Sequence, residues 1–449
     1  MRPLLRGVRV PNIKTTASKK AVPMPFHGTV TIPMSMHIGV AAEPIVKRGD
    51  TVFVGTKIGD VGGSISAPVH SSVSGRVSEI ADITTPDGAM CQAVKIESDG
   101  KMTPDERISP PQITGTDEFI SAVRDSGIVG LGGAGFPTHI KYEGCKGRKI
   151  EELIVNAAEC EPYITSDTRT LLDRSDELLF GIEAVREYLG IDRVIIGIEK
   201  HNHAAHEALE NMLNQYPKKE LKLLSDIYPQ GAEKVLVYHT TGKVTPAGKL
   251  PLDVGALVSN CTTLAEIGKY LKTGMPLVSK CITVDGGSVL EPKNVIAPIG
   301  TPISALADFC GGTVGDPYMV LFGGPMMGLT IENADTSFVM KQTNAVTFLS
   351  EKEAARKRET ACINCGACAN HCPFALDPRA FLRAYRCDNV GELGRLRVDI
   401  CMECGCCSFI CPAAKPLVET NKLAKAKLRA YLDEKRIKEK QEGRRDRDK

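Results

Sequence analysis

Apolar positions beyond residue 33 fall into short runs broken every few residues by turn formers: "MHIGVAAEPIVKRGDTVFVGTKIG", "SISAPVHSSVSGRVSEI" and "CQAVKIES". Val and Ile segments punctuated by Gly-Asp, Ala-Pro and Ser-Gly predict brief strands joined by tight turns. An all-β module is therefore expected over 34–111, its last strand ending near Ser98. The stretch before it, with "RVPNIKTTASKKAVPMP", has neither helical nor strand period and reads as an extended arm over 1–33. From 112 the period changes. "TDEFISAVRDSGIVG" and "TRTLLDRSDELLFGIEAVREYLG" carry apolar residues at helical spacing, while "IEELIVNAAE" and "DRVIIGIE" are apolar strands. Strands alternating with helices predict a mostly parallel sheet over 112–275. Residues 276–345 read as a small β/α unit with Gly-rich turns and 346–421 as a cysteine-rich helical region. The stretch 422–449 starts as a helix and ends in a nearly all-charged run expected to be disordered.

Composition narrows the class. A length of 449 residues is enough for several domains with buried cores. The 56 basic and 54 acidic side chains leave a net charge of +2, so nothing global draws the chain to nucleic acid or an anionic membrane. The basic tail is interspersed with acids and lacks a stacking platform. No apolar run of about 20 residues and no secretory leader is apparent, and the chain reads as intracellular and soluble. That reading puts the 16 cysteines in a reducing compartment, where tight repeated spacings mean metal or cluster ligation rather than disulfides.

Nine of those cysteines lie in "ACINCGACANHCPFALDP" and "DICMECGCCSFICPAAKP". A C-x2-C-x2-C loop wraps three irons of a cubane, and the C-P that follows supplies the fourth ligand of the other cluster. Cys362, Cys365, Cys368 and Cys411 are thus assigned to one [4Fe-4S] cluster, and Cys401, Cys404, Cys407 and Cys372 to a second. Zinc also binds C-x2-C pairs, but it does not call for a triple with a C-P tail twice. Cys406 competes with Cys407, and only Cys407 keeps the spacing of the first run. Cys387 and the scattered Cys91, Cys145, Cys160, Cys261, Cys281 and Cys310 read as small buried side chains. His201, His203 and His206 read as solvated residues at a helix start.

In "GIVGLGGAGFPTHIKYEG" the glycines Gly130, Gly132, Gly133 and Gly135 expose backbone N–H groups that can hold a phosphate, with Lys141 adding charge. It is not a Walker A loop, and no clear strand precedes it as the dinucleotide fingerprint requires. A glycine-rich turn that serves only close packing is the weaker alternative. Downstream, "IVNAAECEPYITSDTR" runs a strand into Asn156, Glu159, Glu161 and Asp167, where open α/β sheets take ligands. Asn156 can hydrogen-bond a flavin edge, and the carboxylates can accept ribose hydroxyls.

These motifs resemble two known families. Residues 112–270 are similar to the FMN- and NADH-binding subunit of respiratory complex I, whose signature is close to "GGAGFPT", a Lys and then Asn-Ala-Asp-Glu-x-Glu-Pro. Residues 34–430 resemble the C subunit of Rnf electron transport complexes through "SAPVHSSVSG", "GGAGFPTHIK", "NAAECEP", "YPQGAEK" and "CMECGCCSFICPAAKPLV". The resemblance implies a multidomain α/β chain. Its parts would be a β hammerhead (barrel-sandwich hybrid), an FMN-binding α/β domain, a small soluble-ligand-binding β-grasp-like domain and a helical 2x[4Fe-4S] ferredoxin-like domain. Hammerhead domains of the biotinyl and lipoyl type carry a modifiable Lys at a hairpin tip, where this chain has His70 and Ser71; a structural module is expected.

The resemblance also implies that Gly130, Gly132, Gly133, Ala134, Gly135 and Lys141 surround the FMN phosphate and ribityl chain, joined by Ser259 and Asn260. Asn156 would meet the isoalloxazine, Glu159 would be the acid near flavin and nicotinamide, and Lys141 and Glu159 would be the catalytic pair. Tyr228, Gly231, Glu233 and Lys234 would line the dinucleotide side. Ala158 stands where complex I has Asp, and Lys234 where it has a second Glu. The usual Gly-Gly, His-Pro opening of Rnf subunits is missing from "RGVRVPNIK".

The function implied is a peripheral subunit of a membrane-bound, ion-translocating NAD:ferredoxin oxidoreductase. It would pass hydride between NAD(H) and FMN, and single electrons through the two clusters. Its partners would be membrane subunits and a ferredoxin-interacting iron-sulfur subunit at the cytoplasmic face of the cell membrane. Two other readings fit the motifs, a cobalamin-reductase-like flavoenzyme and a non-catalytic iron-sulfur relay.

Overall fold

The computed structural model describes residues 6–86, 88–213, 219–355 and 357–445. The predicted β module is present as two small sheets. Thr29–Pro33 pairs antiparallel with Met90–Ser98, which pairs with Gly75–Thr84 and through it with Thr51–Val52. Glu43–Pro44, Lys57–Asp60 and Val69–His70 make the second sheet. Ile32, Ile58, Val69, Val94 and Ile96 from both sheets share one buried core. The module takes its first strand, Thr29–Pro33, from the stretch assigned to the arm. His70 and Ser71 are buried, so the hairpin offers no exposed attachment point.

The α/β domain holds four parallel strands in the order Lys219–Leu224, Arg193–Glu199, Glu152–Asn156, Ala256–Asn260. The two central strands are almost wholly buried, as apolar runs covered on both faces must be, and the charged residues fall on the edge strand Lys219–Leu224. The chain moves outward from Glu152–Asn156 through two strands and then returns to its other side at Ala256–Asn260. The order therefore reverses between Asn156 and Asn260, which lie in register at the carboxyl ends of their strands. In open α/β sheets such a reversal opens a ligand crevice.

The next unit is a mixed sheet. Ser279–Asp285 pairs antiparallel with Lys293–Pro298 and parallel with Ala345–Leu349, and Met319–Phe322 pairs with the far side of Ala345–Leu349. The helix Ile303–Phe309 shares its core.

The arm is extended but docked. Val22–Pro23 adds a parallel strand beside Lys293–Pro298. Buried Asn294 accepts from Thr165 and Thr283 and donates to the Thr16 carbonyl. These bonds satisfy the amide where the arm crosses the two domains.

Lys341 is fully buried and donates to the Pro68 carbonyl at 2.6 Å and the Gly127 carbonyl at 2.7 Å, tying together the β module, the α/β domain and the mixed-sheet unit. Burial pushes its ammonium down to about 7. An unfolded lysine keeps its proton to about pH 10, so between these values the unfolded state binds more protons and stability rises with pH. Lys341→Met lacks this penalty. The melting temperature of the variant relative to wild type is expected to be highest at and below about pH 7 and to decline toward about pH 10, as read by calorimetry across the range.

The cysteine-rich region is helical, and Phe381, Leu393, Val398, Ala424 and Leu428 form its core. Contrary to expectation, one helix runs from Leu417 to Arg445, through most of the stretch expected to be disordered. Its first turns are anchored in that core, and charge pairs such as Lys435–Glu439 support the rest. Residues 446–449 lie outside the described ones. Cys387 is exposed at the end of the helix Pro378–Arg386, correcting its expected burial.

Candidate functional site

The glycine loop precedes the helix Thr138–Glu143 and faces the reversal point of the parallel sheet. Gly133 and Gly135 have positive φ, which glycine adopts at no steric cost. Gly132, Gly133 and Ala134 are exposed, and their amides make no hydrogen bond to another described residue. A Cβ at Gly132 would stand 3.1 Å from Asn260 Nδ2, so the loop and the end of Ala256–Asn260 form a cradle only glycine leaves open. Asn260 caps the helix Cys261–Thr273 and donates to Asp167. Ser259 is buried behind it, 3.5 Å from the Tyr142 hydroxyl.

Lys141 projects from the helix that follows the loop. Its Nζ donates to Glu233 Oε1 at 2.5 Å and to the Val258 carbonyl at 3.0 Å, joining two predicted site residues from distant parts of the chain. Lys234 carries no ion pair among the described residues. Asn156 donates to the Gly231 carbonyl at 2.9 Å and accepts from Ala158 N–H at 3.1 Å. A Cβ on Gly231 would come within 3.1 Å of the Ala158 carbonyl, which explains the glycine.

Glu159 differs from the expected free acid. It is buried, and its carboxylate accepts from Asp167 N–H, Thr168 N–H and the Thr168 hydroxyl, closing the start of the helix Ser166–Asp173. Burial pushes its pKa up, opposed by the nearby Lys14 ammonium and by those donors. Lys14 is a site residue that the sequence does not announce. It enters from the arm and donates to the carbonyls of Glu159, Glu161 and Ile164. Beside it lies a pocket lined by Glu161, Glu199, His201 and Asp226; burial drives the Glu161 carboxyl to about 7. His201 pairs with Asp226 and His206 with Glu210, so the histidines do not gather.

Tyr228 also departs from expectation. Its ring is buried against the cysteine region instead of lining an open dinucleotide face, and its hydroxyl donates to the Cys404 carbonyl at 2.8 Å. Tyr228→Phe would leave that carbonyl unpaired, at a cost of about 1–3 kcal/mol, measurable as a lower unfolding midpoint. Unchanged stability would mean the bond is replaced by water.

The thiols of the two runs line two cavities. Cys362, Cys365, Cys368 and Cys411 surround one cavity, and Cys372, Cys401, Cys404 and Cys407 surround another. Asn364 and Glu403, Gly366 and Gly405, and Ala375 and Ala414 have positive φ at equivalent places in the two runs, so one loop shape is used twice. Among the described residues no three ligands converge on a single ion. Thiols standing around a void, four in one set and five in the other with Cys406, fit cubane clusters. The first cavity is the more open, with Cys362 and Cys365 exposed, while Cys404 is buried against Tyr228 of the α/β domain and Cys407 among Cys368, Leu382 and Leu417 of its own region.

Three family profiles match the chain: the RnfC barrel sandwich hybrid domain at residues 3–101, the Nuo51 FMN-binding domain at 123–269 and a 4Fe-4S binding domain at 355–375. The C subunit of the proton-translocating ferredoxin:NAD(+) oxidoreductase complex of Clostridium ljungdahlii is 37% identical over 368 residues, 81% of this chain and 80% of that protein. The C subunit of the Na(+)-translocating complex of Acetobacterium woodii is 39% identical over 355 residues, 78% and 79% of the two. A chain of an NAD+-reducing [NiFe]-hydrogenase in the H2-reduced state is a looser likeness, with a TM-score of 0.47 and 20% identity over 70% of this chain and 62% of that one. With identity of this order across most of both proteins, and matching profiles over the β module, the nucleotide domain and the first cysteine run, the chain belongs to the family of Rnf complex C subunits.

Proposed function

We propose that this chain exchanges hydride between NAD(H) and FMN and single electrons through two [4Fe-4S] clusters, as the peripheral subunit of an ion-translocating NAD:ferredoxin oxidoreductase. The segment Tyr228–Gly231 carries the reading. It touches Asn156 at the sheet's reversal point with one end and Cys404 with the other, so the flavin edge and a cluster loop are held by one short piece of chain. The cluster of Cys372, Cys401, Cys404 and Cys407 is the one nearer the flavin, and the other faces outward toward a partner.

The residues divide the work. The amides of Gly132, Gly133 and Ala134, framed by Gly130 and Gly135, hold the FMN phosphate with Lys141, Ser259 and Asn260. Asn156 orients the ring edge. Gly231 keeps the approach clear, and Glu233 and Lys234 meet the dinucleotide. Glu161, His201 and Asp226 offer partners to ribose hydroxyls. Glu159 acts as a positioning residue, because its carboxylate is occupied by the helix it caps, and Tyr228 acts as a bridge to the cluster loop. FMN, when bound, supplies the conversion between a hydride and single electrons.

Among the described residues no helix is long and apolar enough to cross a membrane. The relatives are named as parts of ion-translocating complexes, which supports a place at the cytoplasmic face of the cell membrane, beside membrane subunits and a ferredoxin-interacting iron-sulfur subunit. The sheet order and the parallel central pair of residues 276–349 support a β-grasp-like unit.

Anaerobic reconstitution tests the cofactor content. About eight irons per chain with matching sulfide and a single tightly held FMN are expected. Full iron content without flavin would leave a relay and refute the dehydrogenase reading.

A further inference from the structure

The two cysteine runs share a loop shape but not their surroundings. Met402, between Cys401 and Cys404, packs with Tyr228, Val8 and Met326, so the rest of the chain covers the flavin-side loop. Ile363 holds the equivalent place between Cys362 and Cys365 and is 68% exposed. The loop that is packed in one run is bare in the other. Charge differs as well. Arg379, Arg383, Arg386 and Lys415 line the outward cavity, and no carboxylate among the described residues stands in its wall. The wall of the flavin-side cavity has no cation, and its Glu403 is paired with Lys425. Balancing the charge of a cluster does not explain the four cations, because an uncompensated charge costs more in the more buried site, and that site has none. Glu359 pairs with Lys415 and Arg386, and Asp377 with Arg379. Arg383 is exposed and makes no ion pair among the described residues.

We propose that the face formed by Ile363, Arg379, Arg383 and Arg386 docks an electron-carrying protein through a carboxylate-rich surface on that protein. This rests on the reading that the outward quartet holds a cluster. Passing an electron requires contact near the cluster, and the exposed Cys362 and Cys365 mark where the quartet meets solvent. An exposed aliphatic side chain among arginines has the composition of a docking patch, with an apolar contact and a charged rim. Opposite charge on the partner speeds encounter and fixes orientation. Redox encounters use small contact areas, so a few charges decide them. An anionic bilayer would attract the same cations, but it takes up no electron.

The test is binding of the full chain, reconstituted anaerobically with iron, sulfide and FMN, to an immobilised acidic flavodoxin, followed by interferometry. Wild type is expected to bind, with association slowing about tenfold as salt rises from about 50 to about 500 mM, and not to bind an immobilised basic cytochrome c. Arg383→Glu is expected to associate about tenfold more slowly at low salt and with a flatter salt dependence. Its flavin should still be bleached by NADH, and the reduction potentials of both clusters should match wild type. Ile363→Ser should dissociate faster with the salt dependence of wild type. Equal association of wild type and Arg383→Glu overturns the proposal, as does equal binding to the cytochrome. So does a shifted potential of the outward cluster in Arg383→Glu with binding unchanged, or capture on phosphatidylglycerol vesicles in place of the flavodoxin. Should the glutamate variant fail to fold, Ile363→Ser decides, and unchanged dissociation overturns the proposal. Wild type that takes up no iron refutes the cluster reading itself, whereas full iron without binding refutes the docking face alone.

Discussion

Lys141→Ala is expected to bind FMN about thirtyfold more weakly than wild type. A charge-assisted hydrogen bond to phosphate contributes on the order of 2 kcal/mol, and each 1.4 kcal/mol is about tenfold in affinity. Lys141 stands on the helix that leaves the glycine loop and is held by Glu233 and the Val258 carbonyl. Removing it therefore also frees Glu233 to repel the phosphate. Protein stability should change little, because the Lys141–Glu233 pair is partly exposed and such pairs contribute at most about 1 kcal/mol. Quenching of FMN fluorescence on titration with flavin-free protein measures the affinity. Equal affinity in both proteins would place the phosphate elsewhere.

The second large effect separates the two clusters. Cys411→Ser is expected to remove the outward cluster, halving the iron, although Cys411 belongs by sequence to the second run. The flavin and the remaining cluster should still be reduced by NADH. Cys372→Ser, from the first run, should instead remove the flavin-side cluster and cut the outward one off from the flavin. The cavities pair Cys411 with Cys362, Cys365 and Cys368, and Cys372 with Cys401, Cys404 and Cys407. Iron content and the resonance signals of the NADH-reduced variants give the answer. If Cys411→Ser removes the cluster of its own run, the ligands do not cross.

Chemistry carried by residue type and spacing is legible in the residues alone. The two cysteine quartets follow from their repeated separations, and the parallel sheet from its apolar strands alternating with helices. The open loop shows in its glycines, two of which have positive φ. Interactions made by the backbone leave no such mark. Lys14 donates only to carbonyls, which every residue possesses, so nothing in "RVPNIK" signals that the arm is pinned across the site. Glu159 reads as an available acid because two of the three donors that occupy it are backbone N–H groups at the start of the helix Ser166–Asp173, which no residue type announces. Analogy puts Tyr228 on the dinucleotide side, whereas its hydroxyl reaches a carbonyl far along the chain. Asn156 and Asn260 each stand out by residue type, but their adjacency depends on the order in which strands pair, a property of the fold and not of either segment.

Anaerobic rapid mixing of the reconstituted chain with NADH bears most directly on the central claim that one segment couples the flavin site to the clusters. The expected result is bleaching of the flavin spectrum within seconds, with reduction of both clusters following it. A chain that carries flavin and about eight irons, all reducible by dithionite but with clusters left oxidised by NADH, would contradict it.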